Sequence, residues 1–206
     1  MPLKIKPQKT PPKAVPQRAA AYHHGDLRIA LVKAARDILE KEGLEALSLR
    51  AVARNAGVSQ AAPYHHFADK QALLDAVAAE GFQSLRSAME VRIAKETEPL
   101  ARLYASGLGY IAFATENPAL FRLMFSELSG DAQLRTARDS AYQVFQDAVA
   151  AVAPAGAPLA IICLGLWARV HGLAKLILEA GVDPADYGAA NAEALAAQLL
   201  YNSSPL

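Results

Sequence analysis

The chain has 206 residues, 53% of them hydrophobic, with 21 Lys and Arg against 20 Asp and Glu. That length and apolar content supply an ample core for one or two domains. A single cysteine, Cys163, excludes an intrachain disulfide. With no secretory signal visible, it implies a reducing, cytoplasmic compartment.

Charge is distributed unevenly. Residues 1–70 carry 12 Lys and Arg against 6 Asp and Glu, so the remaining residues carry the acidic excess. Residues 1–21 read as a disordered basic arm, because residues 1–20 hold five Lys or Arg, five prolines and no acid. Two readings of that arm stay open, a solubilising tail and a contact with DNA phosphates.

Asp26 is expected to cap a first helix, with Leu27, Ala30, Leu31, Ala34, Ala35, Ile38 and Leu39 on one face and Gly43 at its end. The next segment, LRAVARNAGVSQAAPYHHF over 49–67, predicts two short helices joined by a glycine turn. Ser48 caps the first of them, Gly57 leaves it with positive φ, and Ser59 caps the second, over Gln60–His66. Ala53 is small at the point where the two helices cross, as a helix-turn-helix requires. Pro63 removes only the bond to Ser59, so a distorted first turn is expected and not a broken helix.

Further helices are expected over Lys70 to about Lys95, Leu100–Glu116 behind Pro99, and from Pro118 behind Asn117. Leu134–Val152, a break at Pro154–Pro158 and Leu159–Ala180 come next, then a helix opened by Asp183-Pro184 and ending near Tyr201. The longest apolar run, Leu159–Ala168, is ten residues and half of what a membrane span needs, so no membrane partner is expected. No strand alternation is present, and the fold class is all-α with about nine helices.

The motif Gly57-Val58-Ser59, Tyr64, His66-Phe67, Lys70 and Leu73 resembles the signature of the TetR family of bacterial transcription regulators. Tyr22-His-His-Gly-Asp-Leu-Arg28 is similar to the opening of one branch of that family. The resemblance implies a three-helix helix-turn-helix domain over 22–70 and a helical ligand-binding and dimerisation domain over 71–206. It also implies double-stranded operator DNA as partner, a homodimer, and an unknown small-molecule effector.

Ser59, Gln60, Ala61 and Ala62 stand where a protruding helix meets the major groove, with Gln60 suited to a bidentate contact with adenine and the alanines to a thymine methyl. By resemblance, Ser48, Tyr64, His66 and Lys70 hold phosphates, joined by His65 and Arg50. Phe67 is assigned to the core.

His23-His24 and His65-His66 are adjacent pairs that diverge by about 100° on a helix, so neither closes on one ion, and no metal or cofactor is expected. No catalytic constellation emerges from the serines, histidines and acids, which argues against an enzyme. Tyr110, Phe113, Phe121, Met124, Phe125, Trp167 and His171 concentrate aromatic surface from three helices and are the candidate ligand-binding residues. Trp167-Ala-Arg-Val-His-Gly172 also resembles a motif of one TetR branch. Gly165, Ala168 and Gly172, with Leu195, Leu199 and Leu200, are expected to form a two-fold four-helix interface. The expected function is a repressor released from DNA by an apolar or amphipathic molecule. A constitutive DNA-binding dimer and an enzyme on the C-terminal domain are the alternatives, and nothing in the residues gives the sign of regulation.

Overall fold

A computed structural model describes residues 24–202, and side chains from residue 27 onward. The arm expected over 1–21 and the Tyr22-His23 pair lie outside the described residues. Among the described residues the chain forms eight α-helices and three 3-10 helices and no strand. They are α1 (His24–Glu42), α2 (Leu49–Asn55), α3 (Lys70–Ile93), α4 (Pro99–Glu116), α5 (Pro118–Met124), α6 (Ala132–Ala150), α7 (Leu159–Glu179) and α8 (Ala192–Tyr201). The 3-10 helices are Leu44–Ala46, Ala62–His65 and Pro184–Tyr187.

Local chemistry explains most boundaries. The Gly43 N–H donates to Leu39 O at 3.1 Å, and its φ of 85° turns the chain out of α1 at little steric cost. α1 begins at His24, so Asp26 lies inside its first turn and is not its cap. Ser48, Asp69, Asp131 and Asn191 cap α2, α3, α6 and α8, each side-chain oxygen accepting an N–H three residues on. The last expected helix is divided. Gly188, at φ 69°, ends the 3-10 turn of Pro184–Tyr187, and Asn191 starts α8 afresh.

α3 is the spine. It packs against α1 near its N-terminal end and against α4, α5 and α6 further along, so one apolar core runs from Leu31 of α1 to Leu200 of α8. The α3–α4 approach depends on Gly109. A Cβ there would sit 2.9 Å from Ala88 O and 3.0 Å from Met89 Cα, backbone that cannot yield. Gly109→Val should therefore cost about 1–3 kcal/mol or more. A smaller cluster of Leu103, Ala148, Val149, Cys163 and Leu166 joins α4, α6 and α7. Burial pushes the Cys163 thiol up, which keeps it protonated and unreactive.

α7 differs from the other helices in what it leaves uncovered. Its 21 residues include an 18-residue stretch of mean hydropathy 1.6, which meets the length and composition of a membrane span because the charged residues are too few to offset the apolar ones around them. The ten-residue run therefore understates it. Within α7 only Cys163, Leu166, Val170, Leu173 and Ala174 are buried in the monomer. Ile161, Leu164 and Leu176 stand exposed at 67, 54 and 50%, and Gly165, Ala168 and Gly172 lie between them on the same side. On α8 the stripe splits: Leu195 and Leu200 are buried in the monomer core, while Leu199 faces outward.

Candidate nucleic-acid interface and cavity

The segment after α2 departs most from expectation. Asn55 ends α2, Gly57 takes φ 67°, and Val58 N–H closes back on Ala53 O at 3.0 Å, as a turn between crossed helices requires. The second helix of the pair is not an α-helix. Pro63 has no N–H to give Ser59 O, so the Ala62 N–H takes that carbonyl at 3.0 Å. Tyr64 N–H then bonds Ala61 O at 3.2 Å and His66 N–H bonds Pro63 O at 3.0 Å, a 3-10 pattern over Ala62–His65. Ser59 makes no side-chain cap; the N-cap position falls to Ala61.

In a 3-10 turn residues three apart eclipse. Pro63 and His66 therefore share the inner side, the first fully buried and the second half-buried, and Phe67 beneath them is 2% exposed. The guanidinium of Arg28 lies 5.4 Å from the centre of the Phe67 ring, a cation–π contact that holds the turn onto α1. Tyr64 is thrown outward at 53% exposure. Ser48, Arg50, Ser59, Gln60, Ala61, His65 and Lys70 are exposed too, leaving only Ala62 and His66 of the ten candidates half-buried. Ser48 Oγ accepts from Ala51 N–H at 3.1 Å, which leaves its O–H to donate, and Lys70 Nζ donates to Leu44 O at 3.3 Å with two further protons to give.

A cavity of about 480 Å³ opens between α3, α4, α6 and α7, within the about 300–1,000 Å³ typical of small-molecule sites. Of the expected residues, Tyr110, Met124, Phe125 and Trp167 line it. Phe113 and Phe121 do not, being packed in the core at 3 and 0% exposure. His171 is not in the wall either. It stands behind it, with Nδ1 2.7 Å from the Tyr110 hydroxyl and its ring 4.6 Å from Phe125 and 5.4 Å from Trp167. Burial pushes the Tyr110 phenol up and the imidazole down, so both are neutral at pH 7 and the shared hydrogen bond satisfies them.

Sequence reasoning misses the α3 and α6 walls, Phe82, Leu85 and Met89 on one and Ala141, Tyr142 and Phe145 on the other. Their apolar periodicity is readable, yet it is the same signal that core packing gives. It also misses Arg36 and Glu40 of α1. Glu40 accepts from Leu120 N–H at 2.8 Å and Ala119 N–H at 3.3 Å, capping α5 from another helix. Arg36 bonds Glu80 at 2.8 Å and Asn117 Oδ1 at 2.7 Å. Asn117 is thereby engaged and gives α5 no cap of its own. No group of three or more His, Cys, Asp or Glu placed to hold a metal occurs among the described residues.

Known proteins agree with this geometry. The family model described as bacterial regulatory proteins, tetR family, matches residues 31–77, and one described as a tetracyclin repressor-like C-terminal domain matches 103–200. A protein of unknown function from Rhodococcus sp. RHA1 is 33% identical with a TM-score of 0.75, over 89% of this chain and 96% of that one. The TetR family regulator PfmR from Thermus thermophilus shares the fold at a TM-score of 0.59 and 19% identity, over 83% and 97%. Nucleoid occlusion factor SlmA of Sodalis glossinidius is 34% identical over 98 residues, 47% of this chain. The chain spans about half the length of that curated relative. With both family models matched in order and the helix-turn-helix in place, the chain belongs to the tetR family of bacterial regulatory proteins and is a DNA-binding transcription regulator, not an enzyme.

Proposed function

We propose that this regulator is a homodimeric, cytoplasmic repressor whose operator affinity falls when an apolar or amphipathic molecule fills the α3–α4–α6–α7 cavity. DNA contact is assigned to Ser48, Arg50, Ser59, Gln60, Ala61, Ala62, Tyr64, His65, His66 and Lys70. Residues 59–62 at the start of the turn read bases, and Ser48, Arg50, Tyr64, His65, His66 and Lys70 hold phosphates. The observation that carries this reading is the exposure of that turn on a buried Pro63–Phe67 footing. The likeness to the nucleoid occlusion factor supports DNA binding but not an effector, since it takes in only half of either chain.

The outward face of α7 supports the dimer, because an apolar stripe broken by Gly165, Ala168 and Gly172 lets a second copy approach closely. Two copies would set their reading turns about one DNA turn apart, roughly 34–36 Å. The cavity and α1 meet at α5: Met124 is in the cavity wall, while Glu40 of α1 holds the other end of the same helix. A molecule that shifts α5 would therefore move α1, and with it the turn that Arg28 and Phe67 anchor. Such a ligand lowers operator affinity only by its differential affinity for the two arrangements.

The test is to recover the genomic DNA fragments that the purified protein retains at moderate salt. Compounds that change Trp167 fluorescence are then titrated into the complex. The expected result is a short two-fold site released by a compound that itself binds the complex more weakly than the free protein. Retention unaffected by any fluorescence-active compound would leave a constitutive binder.

A further inference from the structure

The polar groups around the cavity divide into two sets by depth. Two of the buried ones are already satisfied: Ser106, 1% exposed, donates to Leu103 O at 2.7 Å, and the Tyr110 hydroxyl shares its hydrogen bond with His171, while the hydroxyl of Tyr104, 8% exposed, has no hydrogen bond among the described residues. A ligand entering that depth meets a single unpaired hydroxyl, that of Tyr104, among apolar walls, so the inner space suits a mainly apolar body. The exposed wall is charged. Arg138, Asp139 and Arg169 stand there, and the only compensation among the three is a 3.5 Å contact between Arg138 and Asp139, both more than half exposed. Arg169 has no ion pair or hydrogen bond among the described residues. The wall thus carries one cation more than it neutralises.

Resting on the reading of this cavity as an effector site, we infer that the effector is an apolar carboxylic acid, its aromatic or acyl body inside and its carboxylate at Arg169. A guanidinium offers a planar fork that matches a carboxylate in two parallel hydrogen bonds, and such pairs discriminate strongly against a neutral head of the same size. A neutral or cationic head would leave the exposed Arg169 to water alone.

The experiment titrates the full chain, by Trp167 fluorescence, with decanoate against 1-decanol and 1-naphthoate against 1-naphthamide. The acid of at least one pair should bind about tenfold or more tightly than its neutral partner, with added salt weakening only the acid. Arg169→Gln should bring the two members of that pair to near-equal affinity while leaving the neutral one unchanged. Should that variant fail to fold, the salt titration on the unaltered protein decides. Equal binding of acid and neutral partner overturns the carboxylate assignment and leaves the cavity reading standing. No fluorescence response to any of the four overturns both.

Discussion

The turn at Gln60–His66 and the cavity between α3 and α7 both present side chains for contact, but they are built in different ways. The turn is assembled mainly from residues within one stretch of chain, so Gly57, Pro63 and Phe67, the last held under Arg28, fix which side chains point out. The cavity draws on helices that begin at Lys70 and end at Tyr201, and no short segment of it means anything alone. A local site tolerates changes elsewhere as long as its footing holds, whereas an assembled one inherits every shift of its helices. The α5 junction with Glu40 is where the two kinds of site meet.

Separating the two copies should have the largest effect, because it disables the local site while leaving its footing intact. Leu164→Glu puts a charge on the outward stripe of α7, where the side chain is 54% exposed in the monomer and nothing in the core depends on it. The helical signal should persist and the light-scattering mass should fall to one chain. Operator binding should drop by about a hundredfold or more, since two linked contacts exceed one by such factors. An unmodified protein that already scatters as a single chain at micromolar concentration would remove the interface altogether.

Next come changes confined to the turn, which should leave the cavity untouched. Gln60→Ala is expected to relax preference at one base position at a cost of about 1–3 kcal/mol, while Tyr64→Phe should weaken all sequences alike and by less. Binding-site selection compares the two directly. An unchanged consensus with Gln60→Ala would move base reading to another residue of the turn.

This contrast also explains what is legible in the sequence. Gly43, Ser48 and Gly57 act on their own neighbours within three or four residues, and each boundary they predict is where the chain places it. Pro63 misleads, because the cost of its missing N–H is more than one bond. The chain shifts the pairing by a residue and buries the ring. Phe113, Phe121 and His171 point to the cavity wall by aromaticity and helical spacing, and none of them lines it. Spacing gives a face, yet which neighbour covers that face depends on how α3 and α6 pack against it. Glu40 capping α5 across 80 positions of chain has no local signature at all.

A change at that junction should uncouple the two sites without abolishing either. Glu40→Gln keeps the size of the side chain but gives up the charge that two α5 N–H groups share. Loss of a helix cap of this kind costs about 1 kcal/mol, readable as a lower urea midpoint with an unchanged slope. DNA affinity without ligand should change little, whereas the ratio of affinities with and without a cavity-binding compound should shrink toward one. A ratio that stays at the wild-type value would mean that α5 is not the link.

The smallest expected effect lies behind the cavity wall, at His171. Burial is the largest influence on its imidazole and lowers the pKa below the ordinary 6.5, Lys175 adding to that and Glu179 opposing it. As pH falls through about 6.5 the unfolded chain takes up the proton first, so stability present above that pH declines below it, until the folded-state pKa is reached and the loss stops. The imidazole is only half-buried, so the decline should be modest. Between about pH 7.5 and 5.5, on either side of that ordinary value, the melting temperature should therefore fall further for the natural protein than for His171→Gln, which cannot titrate. Parallel pH responses in the two proteins would show that the Tyr110–His171 pair holds the wall equally well with the ring charged.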